Sequence, residues 1–208
     1  MKIILLGAPN SGKGTLARNI ENKYNLVEIS TGDLLRKEVA TGSDLGKHIN
    51  EVQMGGGLVE FETVIAVMKN YINSLPKDAN LLFDGFPRTI EQAEALKDIA
   101  EIDAVLMLDV SPEEVLKRAL GRVTCEKCNQ IYNRSWYTSD TCEKCGGKLV
   151  VRADDNEESV RKRIDTYFKS TYPLVEYYEK LGKLSKIDAS ETPEYTLKQA
   201  ESILEKIK

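Results

Sequence analysis

Lys2-Ile3-Ile4-Leu5-Leu6-Gly7-Ala8-Pro9-Asn10-Ser11-Gly12-Lys13-Gly14-Thr15 decides the fold. Its first half is a continuous apolar run stopped by glycine, which suits a parallel strand buried on both faces. From Lys13 to Tyr24 the chain takes helical spacing. The turn between them therefore joins a strand to a helix N-terminus, where successive backbone N–H groups and the helix dipole form an anion-binding hollow. Gly12 and Gly14 let the backbone approach phosphate oxygens, Lys13 can bridge the terminal phosphates, and Thr15 offers a hydroxyl near a metal. The strict pattern has Ser or Thr directly after the lysine, whereas here Gly14 intervenes. A glycine-rich turn with no ligand is the plainer alternative, and the strand–loop–helix context argues against it.

Moving outward, Leu81-Leu82-Phe83, residues 105–110 and Leu184-Ser185-Lys186-Ile187 also read as strands. Phe61, Val64, Ile65, Met68, Ile72 and Leu75 fall three and four apart, giving one apolar helix face. Ser111-Pro112-Glu113-Glu114 combines an N-cap, a first-turn proline and a capping-box glutamate. The tail, residues 193–208, reads as a closing amphipathic helix. Strands alternating with helices predict an open parallel sheet covered on both faces. Two stretches interrupt the alternation. Residues 30–59 look helical and end in Gly55-Gly56-Gly57; residues 121–155 hold short β-like pieces such as Gln130-Ile131-Tyr132. Asp84 closes its apolar run, so it lies at the carboxyl edge of the sheet, where ligands of such sheets bind. A carboxylate there can orient Mg²⁺ or its waters; the plainer alternative is a turn cap.

The 208 residues carry 29 Lys+Arg against 33 Asp+Glu, a net charge of −4, which argues against a general nucleic-acid binder. The run Ile3-Ile4-Leu5-Leu6 is too short for a signal-peptide core or a membrane span, so a soluble, cytoplasmic protein is expected. The four cysteines, Cys125, Cys128, Cys142 and Cys145, occupy one short segment as two CxxC hooks 13 residues apart. A secreted scaffold spreads its cysteines; this spacing suits four thiolates closed around one Zn²⁺, a structural site in a reducing compartment. An insertion of about 35 residues is too small for its own core and gains from a metal staple. Disulfides, a redox pair or an iron centre are the alternatives.

The ordered set Gly7-x-x-x-x-Gly12-Lys13-Gly14-Thr15, Ser30-Thr31-Gly32-Asp33 with Arg36, Asp84-Gly85-Phe86-Pro87-Arg88-Thr89 with Gln92, and Arg152-Ala153-Asp154-Asp155-Asn156 closely resembles adenylate kinase in its long-lid, zinc-binding form, over essentially the whole chain. The resemblance implies an α/β, P-loop three-layer fold with a five-stranded parallel sheet, a helical AMP-binding insertion and a small zinc-binding β lid. It divides the chain into a core (residues 1–29, 60–120 and 156–208), the AMP insertion (30–59) and the lid (121–155). It implies reversible transfer of the terminal phosphoryl group of Mg-ATP to AMP, giving two ADP, in a monomer. By motif, Asn10, Ser11, Gly12, Lys13, Gly14 and Thr15 would hold the ATP phosphates, with Mg²⁺ held by Asp84 through water. Thr31, Gly32, Arg36, Gly57, Leu58, Val59, Gly85, Arg88 and Gln92 would bind AMP. Arg122 would reach ATP, Ile131 and Tyr132 would lie near adenine, and Arg152 and Arg163 would close over the transferring phosphate. Asn10 stands where a glycine is common, Leu16 for a usual glutamine, Val123 for a frequent arginine, and Phe61 where a proline-containing turn is common.

The residues agree with that chemistry on their own terms. Phosphoryl transfer needs positioning and charge neutralisation, and guanidinium groups grip phosphate through paired hydrogen bonds. A monophosphate acceptor is already an anion and needs no general base. The single histidine, His48, reads as a surface residue. Arg122, Arg152 and Arg163 could also be solvated charges, with i,i+4 pairing enough to account for Arg163, and Gln92 satisfies capping-box spacing from Thr89. Competing functions are another nucleoside monophosphate kinase, a nucleotide-gated interaction protein, and a zinc-ribbon nucleic-acid binder. A second arginine-lined pocket disfavours the gate, and the acidic residues of the flap disfavour the ribbon.

Overall fold

The computed structural model describes residues 1–207; Lys208, the last residue of the expected closing helix, lies outside them. In chain order the elements are β1 (Lys2–Gly7), α1 (Lys13–Tyr24), β2 (Leu26–Ser30), α2 (Thr31–Ala40), α3 (Asp44–Met54), α4 (Phe61–Asn73), β3 (Asn80–Asp84), α5 (Ile90–Lys97), β4 (Ala104–Asp109) and α6 (Pro112–Gly121). A small β unit follows, with β5 (Arg122–Cys125), β6 (Ile131–Asn133) and β7 (Leu149–Val150). The chain then runs through α7 (Glu157–Thr166), a π turn (Tyr167–Thr171), α8 (Pro173–Lys180), β8 (Leu184–Asp188) and α9 (Pro193–Leu204).

Five strands form one parallel sheet in the order β2-β3-β1-β4-β8, and the small unit is an antiparallel sheet in the order β6-β5-β7. The alternation of side chains along β1 builds both layers. Ile3 and Leu5 join Leu82 and Leu106 against α1 and α9, through Leu16, Ile20, Ala200 and Leu204. Ile4 and Leu6 join Phe83 and Met107 against the other helical layer, through Met68, Leu96 and Leu174. Each of these β1 residues is at most 2% exposed, worth about 1.5–3 kcal/mol of burial per side chain.

The sequence reading places four of the five sheet strands. The fifth, β2, escapes it because the half-buried Glu28 breaks its apolar run and because it is a short edge strand. Helix starts follow the caps: Ser111 accepts from Glu114 N and Thr89 from Gln92 N. The strand expected over 105–110 stops at Asp109, and Leu75 lies just past α4 while still packing on the core. Of residues 30–59, expected to be helical, 31–40 and 44–54 form α2 and α3, with a turn at 41–43 and a non-helical stretch at 55–59 where the three glycines stop the helix; α2 packs on α3 and on α4.

Candidate active site

The turn after β1 is shaped by backbone geometry. A Cβ on Gly7 would meet Leu108 O and Ser11 Oγ at 2.8 Å each, and Gly12 has φ +105°. Asn10 takes φ 60°, which asparagine tolerates better than most residues. Amides at a helix N-terminus mostly lack intrahelical partners; in α1 Thr15 N already donates to Gly12 O at 3.0 Å, while beside it Ser11 Oγ and both polar atoms of Asn10 are buried without a hydrogen-bond partner among the described residues. These are the orphan polar groups expected of a phosphate cradle. Lys13 Nζ donates to Gly7 O at 2.8 Å and Ala8 O at 2.7 Å. Burial brings its ammonium down to about 8; Asp84 opposes the shift, and Arg88, Arg163 and Arg122 add to it.

Those four partners mark where the elements converge. Asp84, at the end of β3, is half-buried, and desolvation raises its carboxyl against the pull of Lys13 and Arg88. Arg88 lies on the following loop and is fixed at three atoms. Its backbone N donates to Gln92 Oε1 at 2.7 Å, its Nε donates to Gly85 O at 2.7 Å, and its carbonyl accepts from Thr171 Oγ1 at 2.9 Å. Burial, then Arg163, brings its guanidinium down to about 10. Thr31 Oγ1 donates to Gly85 O at 2.8 Å, which ties the start of α2 to the same loop.

The remaining arginines are held by carboxylates. Arg122 Nε donates to Asp155 Oδ2 at 2.7 Å and its Nη2 to Oδ1 at 2.5 Å, with the Asp155 side chain fully buried. Arg163 donates to Asp154 at 2.9 Å and to Asp155 at 3.4 Å, so the i,i+4 pair belongs to its neighbour Arg161 with Glu157. Arg36 pairs with Asp33. Arg152 also lines the cleft and is brought down to about 10 by burial and then by Arg36 and Arg122.

These groups border a cleft of about 640 Å³. Residues 10–15, Gly32, Arg36, Gly57, Leu58, Asp84, Gly85, Arg88, Arg122, Ile131, Tyr132, Arg152 and Arg163 all line it. A smaller hollow of about 40 Å³ shares Gly57, Leu58, Gly85 and Arg88 with the cleft and adds Thr31, Val59 and Gln92. The small sheet folds over the phosphate cradle: a Cβ on Gly14 would sit 3.5 Å from Ile131 Cδ1 and 3.8 Å from Asp84 Oδ2. Tyr132 differs from its neighbour. Its ring is 2% exposed, stacks on Tyr137 at 4.2 Å between centroids, and its hydroxyl lies 3.2 Å from Cys142 Sγ. It therefore packs inside the small sheet.

Sequence reasoning missed several cleft residues. Arg118 donates to Ser11 O at 3.4 Å and Ser190 O at 3.2 Å, but its i,i+4 pairing with Glu114 makes it look like ordinary helix surface. Glu28 lines the cleft from β2; burial, then the Asp84 charge, lifts its carboxyl to about 7 against the pull of Arg18. Thr171 also lines it. His48 is half-exposed and its Nε2 lies 2.8 Å from Glu60 Oε1, a partner the sequence did not reveal.

Away from the cleft, the sulfurs of Cys125, Cys128, Cys142 and Cys145 all lie within 4.8 Å of one another. Cys125 to Cys145 is 3.5 Å and Cys128 to Cys142 is 3.6 Å, too long for disulfides. They approach the separation of about 3.8 Å that four thiolates take at about 2.3 Å from a tetrahedral ion. Each hook closes through a backbone hydrogen bond to its first cysteine, Asn129 N donating to Cys125 O and Gly146 N to Cys142 O, with Asn129 and Gly146 at φ 57° and 68°. The four thiols can hold one metal ion.

A phosphate loop at the carboxyl edge of a parallel sheet, facing converging arginines and a second hollow, defines a P-loop nucleotide phosphotransferase. The family model for adenylate kinase matches residues 5–183, and relatives named adenylate kinase align over the full length. The one from Archaeoglobus fulgidus is 43% identical over 216 residues, and that from Acetivibrio thermocellus 41% identical over 216, each covering 100% of both chains. The one from Thermodesulfovibrio yellowstonii is 40% identical, covering 99% of this chain and 100% of its own. The chain belongs to the adenylate kinase family.

Proposed function

We infer that this protein catalyses reversible transfer of the terminal phosphoryl group of Mg-ATP to AMP, giving two ADP. The observation that carries the reading is the meeting of two hollows at Gly57, Leu58, Gly85 and Arg88, the larger of them also lined by Lys13, Asp84, Arg122, Arg152 and Arg163. One hollow suits the donor nucleotide on the phosphate loop; the other suits the acceptor between α2, the Gly57-Leu58-Val59 turn and Gln92.

In the forward direction an acceptor phosphate oxygen bonds to the γ-phosphorus of ATP as the bond to the β,γ-bridging oxygen breaks, and the electron pair leaves with ADP. The chain supplies charge and orientation for this step. Backbone amides of residues 10–15 and Lys13 hold the donor phosphates. Arg88 presents its guanidinium ends to the phosphates, because its backbone and Nε are already held. Arg36 and Thr31 secure the acceptor, with Gly32, Gly85 and Val59 shaping its pocket. Arg122, Arg152 and Arg163 neutralise charge around the moving group, and Ile131 covers the donor site. No base is required, since the acceptor is already an anion. Asp84, with the Thr15 hydroxyl nearby, would hold Mg²⁺ through water, and that ion supplies neutralisation of phosphate charge.

Residues 1–29, 60–120 and 156–208 act as the fixed core, while 30–59 and 121–155 close over AMP and ATP and exclude water, which would otherwise accept the phosphoryl group. The four thiolates hold Zn²⁺ as a staple for the lid. The resemblance to the family supports a monomer. Unpaired cysteines gathered in one segment support a cytoplasmic setting, and among the described residues no helix is long and apolar enough to cross a membrane.

The test is ADP production from Mg-ATP with AMP, CMP, UMP and GMP offered separately. Turnover with AMP is expected. Turnover confined to another acceptor would overturn the specificity, and none with any acceptor would overturn the function.

A further inference from the structure

We propose that Thr171 is a positioning residue for phosphoryl transfer, acting through the carbonyl of Arg88, and that the π turn at Tyr167–Thr171 exists to place it there. The inference rests on the reading of Arg88 as a phosphate-gripping arginine.

The turn is set by the sequence around it. Pro173 lacks an N–H, and in a regular α-helix its ring would meet the carbonyl four residues back. The wide turn, closed by Tyr172 N donating to Tyr167 O at 2.8 Å, carries the chain from α7 into α8 through that proline. Turns of this kind gather at functional sites, and here each end of the turn touches the cleft. Tyr167 is 5% exposed and packs with Ala8 of the phosphate loop and Val115. Thr171 is 7% exposed and gives its hydroxyl proton to Arg88 O at 2.9 Å, across 83 residues of sequence. Just before the turn, α7 supplies Arg163.

Among the described residues Arg88 has three anchors, and only this one comes from a distant element. Gln92 and Gly85 lie within four residues, so they fix Arg88 to its own loop and move with it. Thr171 fixes that loop to the helix that carries Arg163 and packs on the phosphate loop. A guanidinium that must meet a phosphate bidentately tolerates little error in orientation. Losing the anchor should therefore slow the chemical step more than it weakens nucleotide binding.

The experiment compares wild type with Thr171→Val, which keeps the shape and loses the hydroxyl, and with Thr171→Ser, which keeps the hydroxyl. It adds Arg88→Lys alone and combined with Thr171→Val, and measures kcat, KM for ATP and AMP, and Tm for each. The expected result is a fall of about tenfold in kcat for Thr171→Val, with KM for ATP within about twofold, recovery in Thr171→Ser, and no further loss when Thr171→Val is added to Arg88→Lys. Wild-type turnover in Thr171→Val beside an impaired Arg88→Lys would overturn the Thr171 assignment alone. A full additional loss in the double variant would show that Thr171 acts on something other than Arg88. Wild-type turnover in Arg88→Lys would overturn the reading on which the proposal rests, and the proposal with it.

Discussion

Glu28→Gln should stabilise the ligand-free protein, and by an amount that depends on pH. Glu28 sits on β2 inside the cleft, where burial and the nearby Asp84 raise its carboxyl from 4.5 to about 7. The folded chain therefore holds this proton more tightly than the unfolded chain does. Its contribution is most favourable below pH 4.5 and is lost as pH rises through 7. Each pKa unit is worth about 1.4 kcal/mol, so the carboxylate costs the fold about 3 kcal/mol at pH 8 and under about 1 kcal/mol at pH 5. Glutamine imitates the neutral acid at every pH and removes that cost. In a chain of this size the gain at pH 8 corresponds to a Tm rise of roughly 6–12 °C. The assay is equilibrium unfolding in guanidinium at pH 5 and pH 8, without nucleotide or Mg²⁺, because ligands that bind only the folded state would mask the difference. A gain of the same size at both pH values, or a loss at pH 8, would refute the reasoning.

Arg88→Lys should keep the fold and lose about 10–100-fold in turnover, because a point charge replaces a planar two-bond grip; steady-state kinetics beside circular dichroism checks both halves. Cys142→Ser should weaken metal retention by more than about 100-fold, beyond the loss typical of an outer-shell partner, while ATP-analogue binding at the phosphate loop persists; metal content measured against a chelator decides it. Lys13 stands at about 8 in the ligand-free cleft, and phosphate will raise it, so nucleotide binding should take up a proton above pH 8 and weaken as pH climbs. Titration calorimetry at pH 9 in buffers of different ionisation enthalpy measures that uptake, and zero uptake would contradict the placement of Lys13 against phosphate.

The parts of the fold legible in the sequence are those whose signal is local. The apolar runs of β1 and β3 end at the turns that carry Lys13 and Asp84, so strand, turn and chemistry are written in adjacent residues. The CxxC hooks are equally local, and Asn10 takes the left-handed backbone that its identity allows. What stayed hidden depends on partners far apart. Asp155 holds Arg122 across 33 residues, and neither spacing nor periodicity signals that pair. Arg118 is disguised by Glu114 one turn away, and β2 by the charge of Glu28. The π turn inserts one residue into a helical stretch, which barely alters its apolar rhythm, so Thr171 has no mark in the sequence. Tyr132 does both: it lines the cleft beside Ile131, while its ring packs in the core of the small sheet.

The central claim is that one site transfers phosphoryl groups between two nucleotides in both directions. The most direct test supplies ADP and Mg²⁺ alone and follows products by phosphorus NMR. ATP and AMP are expected to rise in equal amounts to a plateau, with no inorganic phosphate. Accumulation of AMP and phosphate without ATP would mean that water reaches the transferring group, and would contradict a closed two-nucleotide site.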